Sequence, residues 1–140
     1  MKSILFSVAI LVLALFTVDC GNYKDLTSQS NILFRNDWKL YEVQGQVVPD
    51  SVKSRFQFTP GRISGTAGCN QLSADFVPGK HQTIRFTPEM LTKNACTDAN
   101  AAALETTLLD ILSKSTEWSM TSGQLTLGDG QTTLVKFRAI

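Results

Sequence analysis

The chain has 140 residues, 43% of them apolar, and 13 Lys and Arg against 12 Asp and Glu leave a formal net charge of +1. That length suits one compact domain, and the even charge lacks the basic excess of a protein that grips nucleic acid. One His and three Cys exclude zinc frameworks of the C-x2-C…H-x3-H kind.

At the N-terminus, Lys2 precedes an apolar run from Ile4 to Val18, interrupted only by Ser7 and Thr17. As a helix at ~1.5 Å per residue the run covers roughly 22 Å, short of a ~30 Å bilayer core. It therefore reads as an export signal over residues 1–19. Cys20 ends the run and is the expected lipidation site, since a lipoprotein signal resembles Leu-(Ala/Ser/Thr/Val)-(Gly/Ala)-Cys. Thr17 and Asp19 depart from that pattern. Ordinary cleavage after Cys20 and retention as a short anchor are the alternatives. Gly21 to Asn31 is polar without sustained periodicity, and residues 20–35 read as a tether that holds a domain off a membrane surface. The folded domain is expected over residues 36–140.

If Cys20 is acylated or removed with the signal, Cys69 and Cys96 remain. In an oxidising compartment they are expected to form a disulfide; two buried free thiols are the alternative.

Strands dominate the next stretch. Trp38 to Val43 alternates loosely up to Gly45, and Arg55 to Thr59 alternates cleanly before the Pro60-Gly61 turn and a returning strand at Arg62 to Ser64. Leu72 to Phe76 alternates until Pro78-Gly79 breaks it, and Thr83 to Phe86 resumes ahead of Pro88. The period then changes. Ala101, Leu104, Leu108, Ile111 and Leu112 lie on one helical face behind Asp98, an N-cap candidate. Three further strands are expected at Glu117–Thr121, Gln124–Leu127 and Thr132–Arg138, separated by Ser122-Gly123 and Gly128-Asp129-Gly130. About eight short strands and one helix predict an α+β domain, mainly antiparallel β, its sheet curved or barrel-like with the helix over one opening.

Residues that could carry chemistry are scattered. His81 is the lone histidine, in a turn beside Lys80, and no orienting partner is evident for it as a general base. Ser64 lies in a stretch that fails the G-x-S-x-G spacing of a nucleophile elbow. Asp75 and Glu89 read as solvated surface charges, and Gly128-Asp129-Gly130 lacks the acids of a calcium loop. Trp38 and Trp118 each begin an alternating run and read as core residues, with exposed ligand platforms as the alternative. No enzyme and no cofactor are expected. The densest motif is Gly65-Thr66-Ala67-Gly68-Cys69-Asn70, whose glycines permit positive φ or close backbone approach; an anion-binding nest of backbone N–H groups is the alternative reading.

At this motif the chain resembles the META/HslJ family of small bacterial envelope domains. The family's opening W-x-L and Gly correspond to Trp38-Lys39-Leu40 and Gly45, and its G-x-A-G-C-N hallmark to Gly65 through Asn70. Its T-x-x-A-C corresponds to Thr92 through Cys96, and its acidic residue with paired apolar residues to Glu105 and Leu108-Leu109. The final L-x-L, turn and apolar strand correspond to Leu125-Thr126-Leu127 and Thr133 to Phe137. Lys93-Asn94 and Ala74-Asp75-Phe76 depart from the usual pattern. The resemblance implies structural roles for Gly65, Gly68, Asn70 and Trp38 and no catalytic residue. It also implies an exported or outer-membrane-attached protein; with Cys20 acylated, the expectation is a monomeric lipoprotein of the bacterial cell envelope anchored in the outer membrane through its N-terminal lipid, or else a periplasmic or secreted protein. Such a protein would support envelope integrity or stress and antibiotic tolerance by binding an envelope protein or ligand. The alternative is a secreted ligand-binding or enzyme-inhibitor module.

Overall fold

Alternation of apolar and polar side chains makes a strand bury one face, and most of this chain alternates. The computed structural model describes residues 31–140, the side chains of 88–90 excepted. Its elements are β1 (Asp37–Val43), β2 (Gln46–Val47), β3 (Ser54–Thr59), β4 (Arg62–Ala67), β5 (Gln71–Pro78), β6 (Ile84–Leu91), α1 (Ala99–Lys114), β7 (Glu117–Thr121), β8 (Gln124–Gly128) and β9 (Thr133–Ala139). All pairings are antiparallel, in the order β6-β5-β4-β3-β1-β9-β8-β7, with β2 added to the end of β1.

The two ends of this order meet. Ile84 N–H donates to Thr116 O at 2.9 Å and Trp118 N–H to Gln82 O at 2.8 Å, around a bridge between Thr83 and Glu117. The sheet is thus a nearly closed barrel, as the sequence predicts. Its interior is aromatic. Trp38, Phe56, Phe58 and Phe137 are at most 2% exposed, and the Phe58 ring meets Trp38, Phe76 and Phe137 edge to face at 5.9–6.5 Å between centroids. Such pairs contribute roughly 0.5–1.5 kcal/mol each beyond the burial of area. α1 closes one opening, burying Leu108, Ile111 and Leu112. Asp98 caps it by accepting from Asn100 N–H at 2.9 Å and Ala101 N–H at 3.3 Å.

Three boundaries differ from the sequence expectation. Pro88 was expected to lie beyond the strand, but β6 continues through it to Leu91. The β5–β6 register shifts there, with Asp75 opposite Thr87 and Ala74 opposite Glu89. Pro88 is therefore the extra residue of a bulge, a position that needs no ladder N–H. Likewise β4 runs on to Ala67 and β5 to Pro78 because both have paired neighbours. Third, the tether was expected to extend to residue 35. Residues 31–35 are instead helical, with Leu33 only 5% exposed and its carbonyl accepting from Trp38 Nε1 at 3.0 Å. A buried indole needs such an acceptor, so the folded unit begins before the first strand.

Leu33→Ala should accordingly destabilise the protein by about 2–5 kcal/mol in urea unfolding, as other core truncations do. Phe34→Ala, at a position 37% exposed, should change stability by no more than about 0.5 kcal/mol.

Candidate functional site

The glycine-rich motif ends β4 and turns into β5. At Gly65 a side chain would collide with the Arg55 carbonyl oxygen and the Phe56 ring across the β3–β4 ladder. Gly68 has φ +148°, and a Cβ there would lie 2.8 Å from Ala101 Cβ and 3.2 Å from Glu105 Oε1. Both freedoms that glycine offers are therefore used, close approach at one position and positive φ at the other.

This bare backbone lets the turn aim its amides at α1. Glu105 Oε1 accepts from Cys69 N–H at 2.7 Å and from Asn70 N–H at 2.6 Å, while Oε2 accepts from Asn70 Nδ2 at 2.9 Å. Glu105 is 3% exposed. The anion-binding nest and the structural turn are thus one arrangement, and the bound anion is the protein's own carboxylate. Burial pushes the Glu105 pKa up and is the largest single influence. The hydrogen bonds from the Asn70 side chain and the Asn70 and Cys69 amides together outweigh it and hold the carboxyl below its ordinary range.

The network continues outward. Asn70 Oδ1 accepts from Thr92 Oγ1 at 3.0 Å and from Asn94 N–H at 2.7 Å, and Thr92 Oγ1 accepts from Gln71 N–H at 3.0 Å. Cys69 and Cys96 are joined in a disulfide with a Cα–Cα distance of 5.6 Å. The two motifs, G-C-N and T-x-x-A-C, therefore converge on one end of α1 and are tied by side-chain, backbone and covalent links.

Among the described residues, the others singled out by sequence take no part in this network. Trp38 is wholly buried. Ser64 stands on β4 opposite Gln57 and Ser73, and Asp75 pairs with Arg62 at 2.8 Å on the exposed face. His81 lies in the β5–β6 turn. In the β8–β9 turn, Asp129 Oδ1 accepts from Gln131 N–H at 2.9 Å and Thr132 N–H at 2.7 Å, which fixes that turn. The expected signal over 1–19 and lipidation site Cys20 lie outside the described residues. Reading the helix by its apolar residues overlooked the role of Glu105. The signal was its place in line with Ala101, Leu108 and Leu112, an acid on the inward stripe.

Comparison with known proteins agrees with this geometry. A family sequence model, that of the META domain, matches residues 31–139, which includes the helical turn that carries Leu33. No curated protein matches significantly. Among solved structures, a protein determined by NMR is 22% identical with a TM-score of 0.61, covering 77% of this chain and 92% of that one. An NMR structure from Burkholderia xenovorans is 20% identical with a TM-score of 0.58, covering 81% and 87% respectively. The crystal structure of a DUF4847-family protein from Bacteroides vulgatus is 14% identical with a TM-score of 0.57, covering 79% and 96%. At these identities the likeness is one of fold.

Two outcomes test the junction. Glu105→Ala leaves three N–H donors without their acceptor and should cost about 3–5 kcal/mol in denaturant unfolding; Glu105→Gln, which turns an amide donor toward donors, should cost about 1–3 kcal/mol. Because the folded pKa lies below the unfolded one, the carboxylate's stabilisation is complete above the ordinary value of about 4.3 and is lost as pH falls through the folded pKa. The stability difference between wild type and Glu105→Gln should therefore shrink on acidification through that window.

For the disulfide, Cys69→Ser and Cys96→Ser should each destabilise by a similar amount, on the order of 2–5 kcal/mol. The double variant should be little worse than either, because one bond is lost only once. Additive losses in urea unfolding would contradict the pairing.

Proposed function

The chain belongs to the META domain family, and on that footing we propose that it is a non-enzymatic envelope lipoprotein, anchored through Cys20 and acting by binding. Its role is to support envelope integrity or stress and antibiotic tolerance. The observation that carries the proposal is the Cys69–Cys96 disulfide. Disulfides persist in exported proteins, whereas the cytosol keeps thiols reduced. The compartment favoured by the bond is the one to which an N-terminal apolar run would send the chain. Pairing also leaves Cys20 as the cysteine free for a separate fate, at the position where an acylated residue would stand.

Hydrogen bonding within the domain supports the non-enzymatic part of this reading. Its buried carboxylate is used by the fold, and the half-buried Asp37 and the exposed Asp50 and Asp75 are each held by a neighbouring Arg or Lys. A second reading, a secreted ligand-binding module, draws support from a cleft beside Trp118.

Mass spectrometry of the mature N-terminus separates the two. A diacylglyceryl-modified Cys20 in protein from detergent-solubilised membranes is the expected result, and Cys20→Ser should move the protein into the soluble exported fraction. An unmodified mature N-terminus in wild-type cells would remove the lipoprotein reading in favour of the secreted one.

A further inference from the structure

The barrel seam, where β6 meets β7, carries a feature that its structural role leaves unexplained. Two side-chain-bearing residues in succession, His81 at φ 56° and Gln82 at φ 61°, occupy the left-handed region. They are the central pair of the turn in which Thr83 N–H and Thr83 Oγ1 both donate to Lys80 O, at 3.3 and 2.9 Å. Positive φ at both central positions marks a type I′ hairpin turn, for which Asn-Gly or Gly-Gly is the low-strain choice. His and Gln here cost free energy that glycine would not, and strain of this kind collects where a side chain has a task.

Both residues border a cleft of about 320 Å³, near the lower end of the size range of small-molecule sites, ~300–1,000 Å³. The cleft is also lined by Glu117, Trp118 and Ser119 of β7, by Thr126 of β8 and by the β8–β9 turn. Two polar groups in these walls are unspent. Among the described residues the Glu117 carboxylate makes no hydrogen bond or ion pair. The Trp118 indole N–H likewise has no acceptor, in contrast to that of Trp38. Trp118 is 8% exposed, and among the described residues no fully buried side-chain polar atom lacks a partner, so this N–H is open at the surface of an otherwise enclosed ring.

The chemistry of the walls selects a ligand class. The cleft holds no Lys or Arg, and its carboxylate repels phosphate and carboxylate groups. Hydroxyls and carboxamides predominate over apolar side chains, which disfavours an acyl chain. A single acid that accepts from paired hydroxyls, neutral groups that both donate and accept, and an indole edge together fit a polyhydroxylated, uncharged ligand. We infer that the seam cleft is a binding site for a neutral saccharide unit, free or at the end of a glycan. The site gives the binding role proposed above its ligand and does not depend on the anchor at Cys20.

The test uses the full chain in detergent. Saturation-transfer NMR is read with glucose, N-acetylglucosamine and their disaccharides at millimolar concentration, beside cosedimentation with purified cell-wall glycan. Saturation of at least one soluble sugar is the expected result for a free saccharide; cosedimentation alone would identify the glycan-end form. Glu117→Ala should weaken binding by about tenfold or more, as loss of a hydrogen bond to a charged group does. Gln82→Gly is the sharper variant, because it relieves the strained backbone and preserves the fold. It should raise the melting temperature and still weaken binding, while Asp110→Ala on the exposed face of α1 should leave binding unchanged. Absence of binding to both sugars and glycan, or binding indifferent to Glu117→Ala and Gln82→Gly alike, would overturn the inference. Neither result would bear on the chemistry of the N-terminus.

Discussion

A carboxylate that leaves water must recover its hydration from the protein, and Glu105 recovers it from three N–H groups of a single turn. Much of the domain's local conformation follows from that requirement. The donors must converge, so the chain at Cys69 and Asn70 turns its amides inward. The helix must come close enough to be reached, so Gly68 has no side chain to hold it off. Asn70 spends its amide on Glu105 and its carbonyl on Thr92 and Asn94, which draws the segment before α1 into the same junction. The disulfide then ties the two segments covalently. A bond over this junction limits how far the parts can separate, whereas the hydrogen bonds specify how they face each other.

The rest of the barrel relies on apolar packing and tolerates more irregularity. β1 and β3 pair over only two residues before diverging, and the N–H of Leu40 is taken by the buried Ser54 Oγ at 3.0 Å. The departing strand gains a two-residue partner in β2 on one side and keeps β9 on the other. Bulges at Leu40/Glu42 and Ala74/Asp75 supply the curvature that brings the two sheet ends together. Closure rests on a short seam, so the turn at its mouth shapes the surface there. The domain thus has two polar regions of opposite kind: one buried and saturated beneath α1, the other at the seam with donors and acceptors open to solvent.

This division bears on function. Polar groups already satisfied within the fold have no capacity left for a ligand, and the G-C-N junction is of that type. A motif of this sort speaks to architecture, since in this chain it is what seats the helix. Function among such domains is more readily sought in side chains that the fold does not require, such as those of the strained His81-Gln82 turn.

Local pattern was enough to read most of the strands, the capped helix and the antiparallel class, because alternation, helical spacing and turn chemistry act over a few neighbouring residues. Trp38 as core and Asp98 as cap were legible for the same reason. The limits of local reading are equally specific. Pro88 looked like a strand end because its compensating bulge involves β5, and Leu33 looked like tether because its burial depends on Trp38 and the barrel interior. Glu105 looked like an ordinary helical acid until the turn at Cys69, 36 residues earlier in the chain, was placed against it. Whether two cysteines meet, where a sheet closes, and which polar groups remain open are relations between distant segments. Sequence by itself determined the elements and their inward faces. Only tertiary structure decided the junction under the helix and the cleft at the seam, because both are made where segments remote in the chain converge.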